Sequence, residues 1–228
     1  MSEKTRKNRA FALYLLLGGL FITALVTCNL IANKFVTVDL GFKTFVLSAG
    51  VLPYPITFLM TDILSEVFGR RKTNAVVIVG FAASLFVLFM LYLGSVFPAI
   101  PQSPVSDEYY NTVFQNSWRV ITASMVAYLT AQLIDIRLFH FWKRLTKGKQ
   151  LWLRNNASTV VSQLVDTTLV VFVLFVGNLP FETMTSFILD GWLFKVLAAL
   201  ADTLIIYFLI WIIRRQFNLK QGEEIDFL

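Results

Sequence analysis

Between Ala10 and Asn33 the chain carries no charged residue, and about 20 mostly apolar residues suffice for a helix to cross a ~30 Å hydrocarbon core. Five further stretches are also mostly apolar; the third span carries no charge, the second is charge-free until Asp62, and the last three each contain ionised residue types. The apolar runs predict transmembrane helices over residues 10–33, 44–69, 73–97, 118–141, 156–176 and 187–213. Composition agrees: of 228 residues 57% are apolar and 15% charged, against about 45–50% and about 25% in soluble domains. A water-soluble core of this size could not hide so much apolar surface. A soluble enzyme, a disordered chain and a disulfide scaffold are therefore excluded. The expected architecture is all-α: one polytopic transmembrane domain over 1–228, with tails of about 1–10 and 214–228.

The charge imbalance is read as topology. Lys and Arg number 20 against 14 Asp and Glu. Fifteen of the basic residues flank the spans on one side: Lys4, Arg6, Lys7 and Arg9; Arg70, Arg71 and Lys72; Lys143, Arg144, Lys147, Lys149 and Arg154; Arg214, Arg215 and Lys220. The other side holds Lys34, Lys43, Arg119 and Lys195, and Arg137 lies within a span. By the positive-inside rule both termini are cytoplasmic. The basic character thus gives no reason to expect a nucleic-acid partner. A cleaved signal is disfavoured, because the first apolar run is too long and five more follow. The loop 98–117, with Pro98, Pro101, Pro104 and the Asp107–Glu108 pair, reads as an ordered surface loop or partial lid.

One cysteine, Cys28, leaves no internal disulfide or CxxC site, and one histidine, His140, leaves no multi-histidine zinc site. No metal or cofactor is expected. Nor is there a Walker sequence, so the chain does not itself hydrolyse ATP.

Function is to be sought in polar groups placed inside the membrane, which are costly and usually face a cavity or a partner. Asp62 and Glu66 lie four apart on one helical face. Glu66 also precedes Arg70 by four, so a helix-end ion pair competes with a coupling role. Asp62, a turn deeper, has no such local partner. Gln132 and Asp135 in the fourth span, and Gln163 and Asp166 in the fifth, repeat a Gln-x-x-Asp spacing that points both side chains to one face. Interhelical hydrogen bonding and substrate contact are the alternatives there. Lys195 and Asp202 share a face of the sixth span but stand about 10 Å apart along the axis, so a direct pair is not expected. Lys195 can instead snorkel outward. Asn29 and Asn33 present two amides near the end of the first span.

Gly50, Pro53 and Pro55 are expected to interrupt and kink the second span, and broken helices line cavities in transporters. The middle span of each three-span half carries the densest polar pattern: Thr57, Thr61 and Asp62 in one, and Ser158 to Thr167 in the other. That is compatible with a 3+3 inverted repeat.

Three stretches carry a family resemblance: Asn29-Leu-Ile-Ala-Asn-Lys34; the block from Pro53 to Arg70 containing Thr61-Asp62-x-x-x-Glu66-x-x-Gly69; and the block from Arg154 to Thr167 containing Ser162-Gln163-x-x-Asp166-Thr167. Together they resemble the queuosine precursor transporter family, over nearly the whole chain. The resemblance implies uptake, across a bacterial inner membrane, of 7-deazaguanines such as 7-cyano- or 7-aminomethyl-7-deazaguanine, by facilitated or ion-coupled movement. For such a substrate, Asp166 is expected to accept from the donor edge of the ring, with Gln163, Gln132, Asn29, Asn33 and Thr57 completing a polar lining. Asp62 is the alternative gripping or proton-coupling carboxylate. Glu66, Asp135, Lys195 and Asp202 are expected to be coupling or structural groups, and Tyr54, Phe58 and Trp192 to stack or gate. A homodimer is compatible with so small a transporter. The rival readings are a membrane subunit that borrows an ATPase partner, an intramembrane enzyme, for which no nucleophile or zinc sequence is present, and a purely structural scaffold.

Overall fold

A computed structural model describes residues 3–32, 34–114, 118–177 and 179–227. Among these are seven helices: α1 (Glu3–Leu30), α2 (Tyr54–Phe68), α3 (Arg70–Val96), α4 (Asp107–Phe114), α5 (Trp118–Leu145), α6 (Leu151–Phe175) and α7 (Phe181–Phe217). Strands β1 (Phe35–Asp39) and β2 (Thr44–Ser48) pair antiparallel, and a 3-10 turn, Ala49–Val51, leads into α2. Five segments are long and apolar enough to cross a membrane: α1, Ala49–Phe68, α3, Leu151–Val173 and α7. The chain is therefore a helical, polytopic membrane protein. Helix α5 equals α1 in length at 28 residues but carries Gln132, Asp135 and Arg137 in its run, and it is not among the five.

Burial separates the helices by role. Every residue of α2 from Thr57 to Phe68 is buried, because α2 packs against α1, α3, α5 and α7. By contrast α3 buries only Thr73, Val76, Val77, Gly80 and Ser84, a single stripe at helical spacing. Its Ile78, Val79, Phe86 and Phe89 are exposed, a surface suited to lipid. The core joins Phe21 and Leu25 of α1, Ile63 and Leu64 of α2, Val77 of α3, Ile136 and Phe139 of α5, and Ile206 and Ile210 of α7.

Three local expectations change. Residues 44–48, expected to begin the second span, are strand β2, so a single two-stranded hairpin sits within the all-α fold. The alternation that makes it a strand places Phe45 and Leu47 on the buried face, and Gly41 (φ 81°) turns the chain. Second, Pro53 and Pro55 interrupt the Ala49–Phe68 span as expected, but between the 3-10 turn and α2 rather than by bending one continuous helix. They open α2, where first-turn N–H groups lack helical partners in any case. Third, the sixth span is extended: α7 has 37 residues, about 55 Å of helix, well beyond a bilayer core. Within loop 98–117, α4 is held to α3 by the Tyr110 hydroxyl donating to the Leu91 carbonyl at 3.2 Å.

Gly69 has φ 80° and joins α2 to α3 without a loop, a conformation that favours glycine. A Cβ there would also meet the Glu224 carboxylate. That contact belongs to a docked C-terminal segment. Ile225 donates its N–H to the Val67 carbonyl at 2.6 Å, and the Phe227 ring lies 5.2–5.7 Å from those of Tyr14, Phe68 and Phe11.

Candidate functional site

Three helical stripes with a four-residue step converge on one cavity of about 400 Å³. Tyr54, Phe58 and Asp62 come from α2, and Asn155, Thr159 and Gln163 from α6. Phe194, Lys195, Ala198 and Asp202 come from α7. A step of four keeps each set on one helix face, which is why residues spread over 150 positions meet. The Tyr54 and Phe58 rings are 5.3 Å apart, and Phe194 packs edge-on against Phe45 at 5.5 Å, so the β-hairpin braces one wall.

The cavity holds buried polar groups that the protein leaves unpaired. Gln163 is 1% exposed, and neither its amide oxygen nor its amide nitrogen has a hydrogen-bond partner among the described residues. Asp62, 1% exposed, has Oδ1 in the same condition. An unpaired buried polar group costs about 1–3 kcal/mol, which makes these atoms candidates for contact with a bound molecule. Asp202 adds a second carboxylate to the wall.

At one end the cavity is bounded by a closed knot. Lys195 Nζ lies 2.6 Å from Asp166 Oδ2, and the Tyr54 hydroxyl donates to the same oxygen at 2.9 Å. Lys195 also donates to Thr167 Oγ1 at 3.2 Å and sits 4.5 Å above the Tyr54 ring. Lys195 therefore points inward to Asp166 and does not snorkel. At the other end, one turn beyond Asp62, Glu66 lies among cations. Arg154 Nη2 is 2.8 Å from Glu66 Oε2, Arg214 pairs with Oε1, and Lys143 Nζ is 3.7 Å from Oε2. Lys143 also reaches Glu224 of the C-terminal segment at 2.8 Å. Glu66 is thus an ion-pair residue, but its partners come from α5, α6 and α7 rather than from Arg70.

The other expected residues fall outside the cavity wall. Gln132 is fully buried and donates to Thr61 Oγ1 at 2.7 Å, and Asp135 Oδ1 accepts from the Ser162 hydroxyl at 2.9 Å. Thr57 donates to the Tyr54 carbonyl at 2.7 Å. Trp192 donates to the Val160 carbonyl at 2.9 Å. Asn29 donates to the Leu25 carbonyl at 3.2 Å and lines a separate cavity of about 350 Å³ with Ser84 and Phe114. Asn33 lies outside the described residues. Sequence reasoning missed Asn155, Thr159 and Phe194 as wall residues. The step Asn155–Thr159–Gln163 was the available signal for the first two, whereas nothing sets Phe194 apart among 22 phenylalanines.

Residues 48–209 match the family described as "Putative vitamin uptake transporter". The chain belongs to this family. The matched stretch contains every residue of the cavity wall and stops before Arg214, Arg215 and the C-terminal segment. A member of a transporter family, the chain is not an enzyme. It is 32% identical over 187 residues to a "Probable queuosine precursor transporter" of Bacillus subtilis, covering 80% of this chain and 79% of that protein. It is 28% identical over 180 residues to the "Queuosine precursor transporter" of Escherichia coli, covering 74% and 73%. No solved structure matches the chain.

Proposed function

We propose that this chain imports a queuosine precursor of the 7-deazaguanine type, held in the cavity between α2, α6 and α7. The observation that carries the reading is the pairing of aromatic walls with an unpaired Gln163 amide and Asp62 carboxylate. A guanine-like edge offers a ring N–H and an exocyclic amine, which one carboxylate can accept together, and a carbonyl that an amide N–H can satisfy. Asp62 is the gripping carboxylate, Gln163 meets the ring carbonyl, and Tyr54, Phe58 and Phe194 supply stacking faces. Asp166 acts one step back, fixing Lys195 and Tyr54 at the end of the cavity. The names of the relatives support the substrate class.

In this reading α5 is a sixth span, its polar residues facing α2 and α6. The basic ends of the helices face the cytoplasm of a bacterial inner membrane, and the two three-span halves form the moving parts. Release inward requires the Glu66 cluster to separate from Arg154 and Arg214. Proton coupling through Asp62, and a homodimer, remain compatible with this arrangement.

The test is uptake of labelled 7-cyano-7-deazaguanine by the purified chain in liposomes. Competition should come from 7-aminomethyl-7-deazaguanine and much less from an analogue lacking the exocyclic amine, because a site built on hydrogen bonds rejects a ligand that leaves them unmade. Equal competition by both would sink the site assignment. Binding without uptake would point instead to a subunit that works with a separate ATPase.

A further inference from the structure

A third cavity, of about 470 Å³, lies at the basic end of the bundle between the start of α6 and the end of α7. We propose that it holds the phosphate of an anionic phospholipid. Arg154, Arg214 and Arg215 all line it, and the carboxylate reaching these arginines among the described residues is that of Glu66, paired with Arg154 and Arg214. Arg215 is exposed and makes no ion pair among the described residues; its guanidinium lies over the Trp211 ring at 5.6 Å. Arg154 is 0% exposed, yet its Nε and Nη1 have no hydrogen-bond partner among the described residues. Leu151, the first residue of α6, also lines the cavity, so the positive end of that helix adds to the field. The pocket is cationic beyond what Glu66 neutralises.

The outer wall selects a lipid over a soluble anion. Tyr207 and Trp211 line the cavity and are 43% and 56% exposed. They continue a stripe of exposed apolar residues along α7 through Leu200, Leu204 and Phe208. An acyl chain lying on that stripe brings its headgroup to the arginines. Tyr and Trp take such positions at membrane interfaces, and basic pockets between helices accept anionic headgroups. A free phosphate would make no use of this wall. The inference is independent of the cargo and of the α2–α6–α7 cavity.

The experiment reconstitutes the full chain in bilayers of phosphatidylcholine with or without phosphatidylglycerol, and counts lipids retained after extraction by native mass spectrometry. Phosphatidylglycerol should be retained in preference, and the exposed substitution Arg215→Gln should lower retention about fivefold, with Trp211→Leu lowering it further in the double variant. Arg144→Gln, an exposed basic position at the same end on α5, should leave retention unchanged. Equal loss in Arg144→Gln, or equal retention of phosphatidylcholine, would overturn the site. Displacement of the retained lipid by millimolar inorganic phosphate would replace the lipid with a soluble anion.

Discussion

Asp62 and Glu66 are both acids, one helical turn apart on the same face of α2, and both are almost fully buried. Their surroundings are opposite. Glu66 is held by Arg154 and Arg214 with Lys143 nearby, so its charge is balanced within the protein. Asp62 faces a cavity, with one oxygen unpaired beside an unpaired Gln163 amide. A buried charge with its partners in place closes structure, whereas a carboxylate with an unpaired oxygen on a cavity wall is the candidate for ligand contact. Proximity in sequence therefore says little about role, whereas the inventory of partners says a great deal.

The largest effect should come from breaking the satisfied side. Glu66→Gln leaves Arg154 without its counter-charge in a fully buried position, and removing one member of a buried pair costs about 3–5 kcal/mol. Thermal unfolding in detergent should show a markedly lower midpoint for this variant. A midpoint near wild type would mean that Arg154 finds charge balance elsewhere, and the contrast with Asp62 would collapse.

Next in size is the unsatisfied side, where the effect should move from stability to transport. Asp62→Asn alters a carboxylate whose Oδ1 has no hydrogen-bond partner among the described residues, so the unfolding midpoint should fall far less than in Glu66→Gln. Uptake should drop about 10- to 100-fold, the equivalent of a charge-assisted hydrogen bond of about 1.5–3 kcal/mol. Gln163→Leu should behave likewise, with a smaller loss carried mainly in KM. A variant of Asp62 that transports normally would move the gripping role to Asp202.

How much of this could be read in advance follows from the range of each signal. The long apolar runs marked the spans because a lipid-crossing helix is written in contiguous residues. Asp62 and Gln163 were legible as candidates because depth within a span and polarity are also local, and both line the cavity. The hairpin was not legible: Phe45, Val46 and Leu47 read as the start of an apolar span, and only packing of Phe45 on Phe194 distinguishes a strand. The fate of Asp166 was equally hidden. Its pairing with Lys195 joins residues 29 apart on different helices, and Lys195 alone was as compatible with snorkelling as with an inward turn. The same applies to Glu66, whose neighbour in sequence, Arg70, proved less relevant than Arg154 and Arg214.

The Asp166–Lys195 pair offers an intermediate case between the two acids, since it is satisfied but borders the cavity. Lys195→Met alone should destabilise by leaving Asp166 with only the Tyr54 hydroxyl. The double variant Lys195→Met with Asp166→Asn should recover part of that loss, giving a coupling of about 0.5–3 kcal/mol. Additive losses in a double-mutant cycle of unfolding midpoints would show that the two charges do not act as a pair.

The smallest expected effect lies at the far edge of the satisfied region, in the C-terminal segment. Its charged contacts are modest: Asp226 is 80% exposed where it meets Lys72 at 2.9 Å, and exposed pairs contribute little. What holds the segment is the buried Ile225 side chain, its N–H to Val67, and the Phe227 ring among Tyr14, Phe68 and Phe11. Phe227→Ala should therefore cost about 0.5–1.5 kcal/mol beyond the lost burial, whereas Asp226→Asn should be close to neutral. Because Glu224 in the same segment reaches Lys143, loosening it should also weaken the cluster around Glu66. Glu66→Gln and Phe227→Ala should then combine less than additively. Full additivity would separate the tail from the ion cluster and confine the contrast with Asp62 to the residues of α2, α5, α6 and α7.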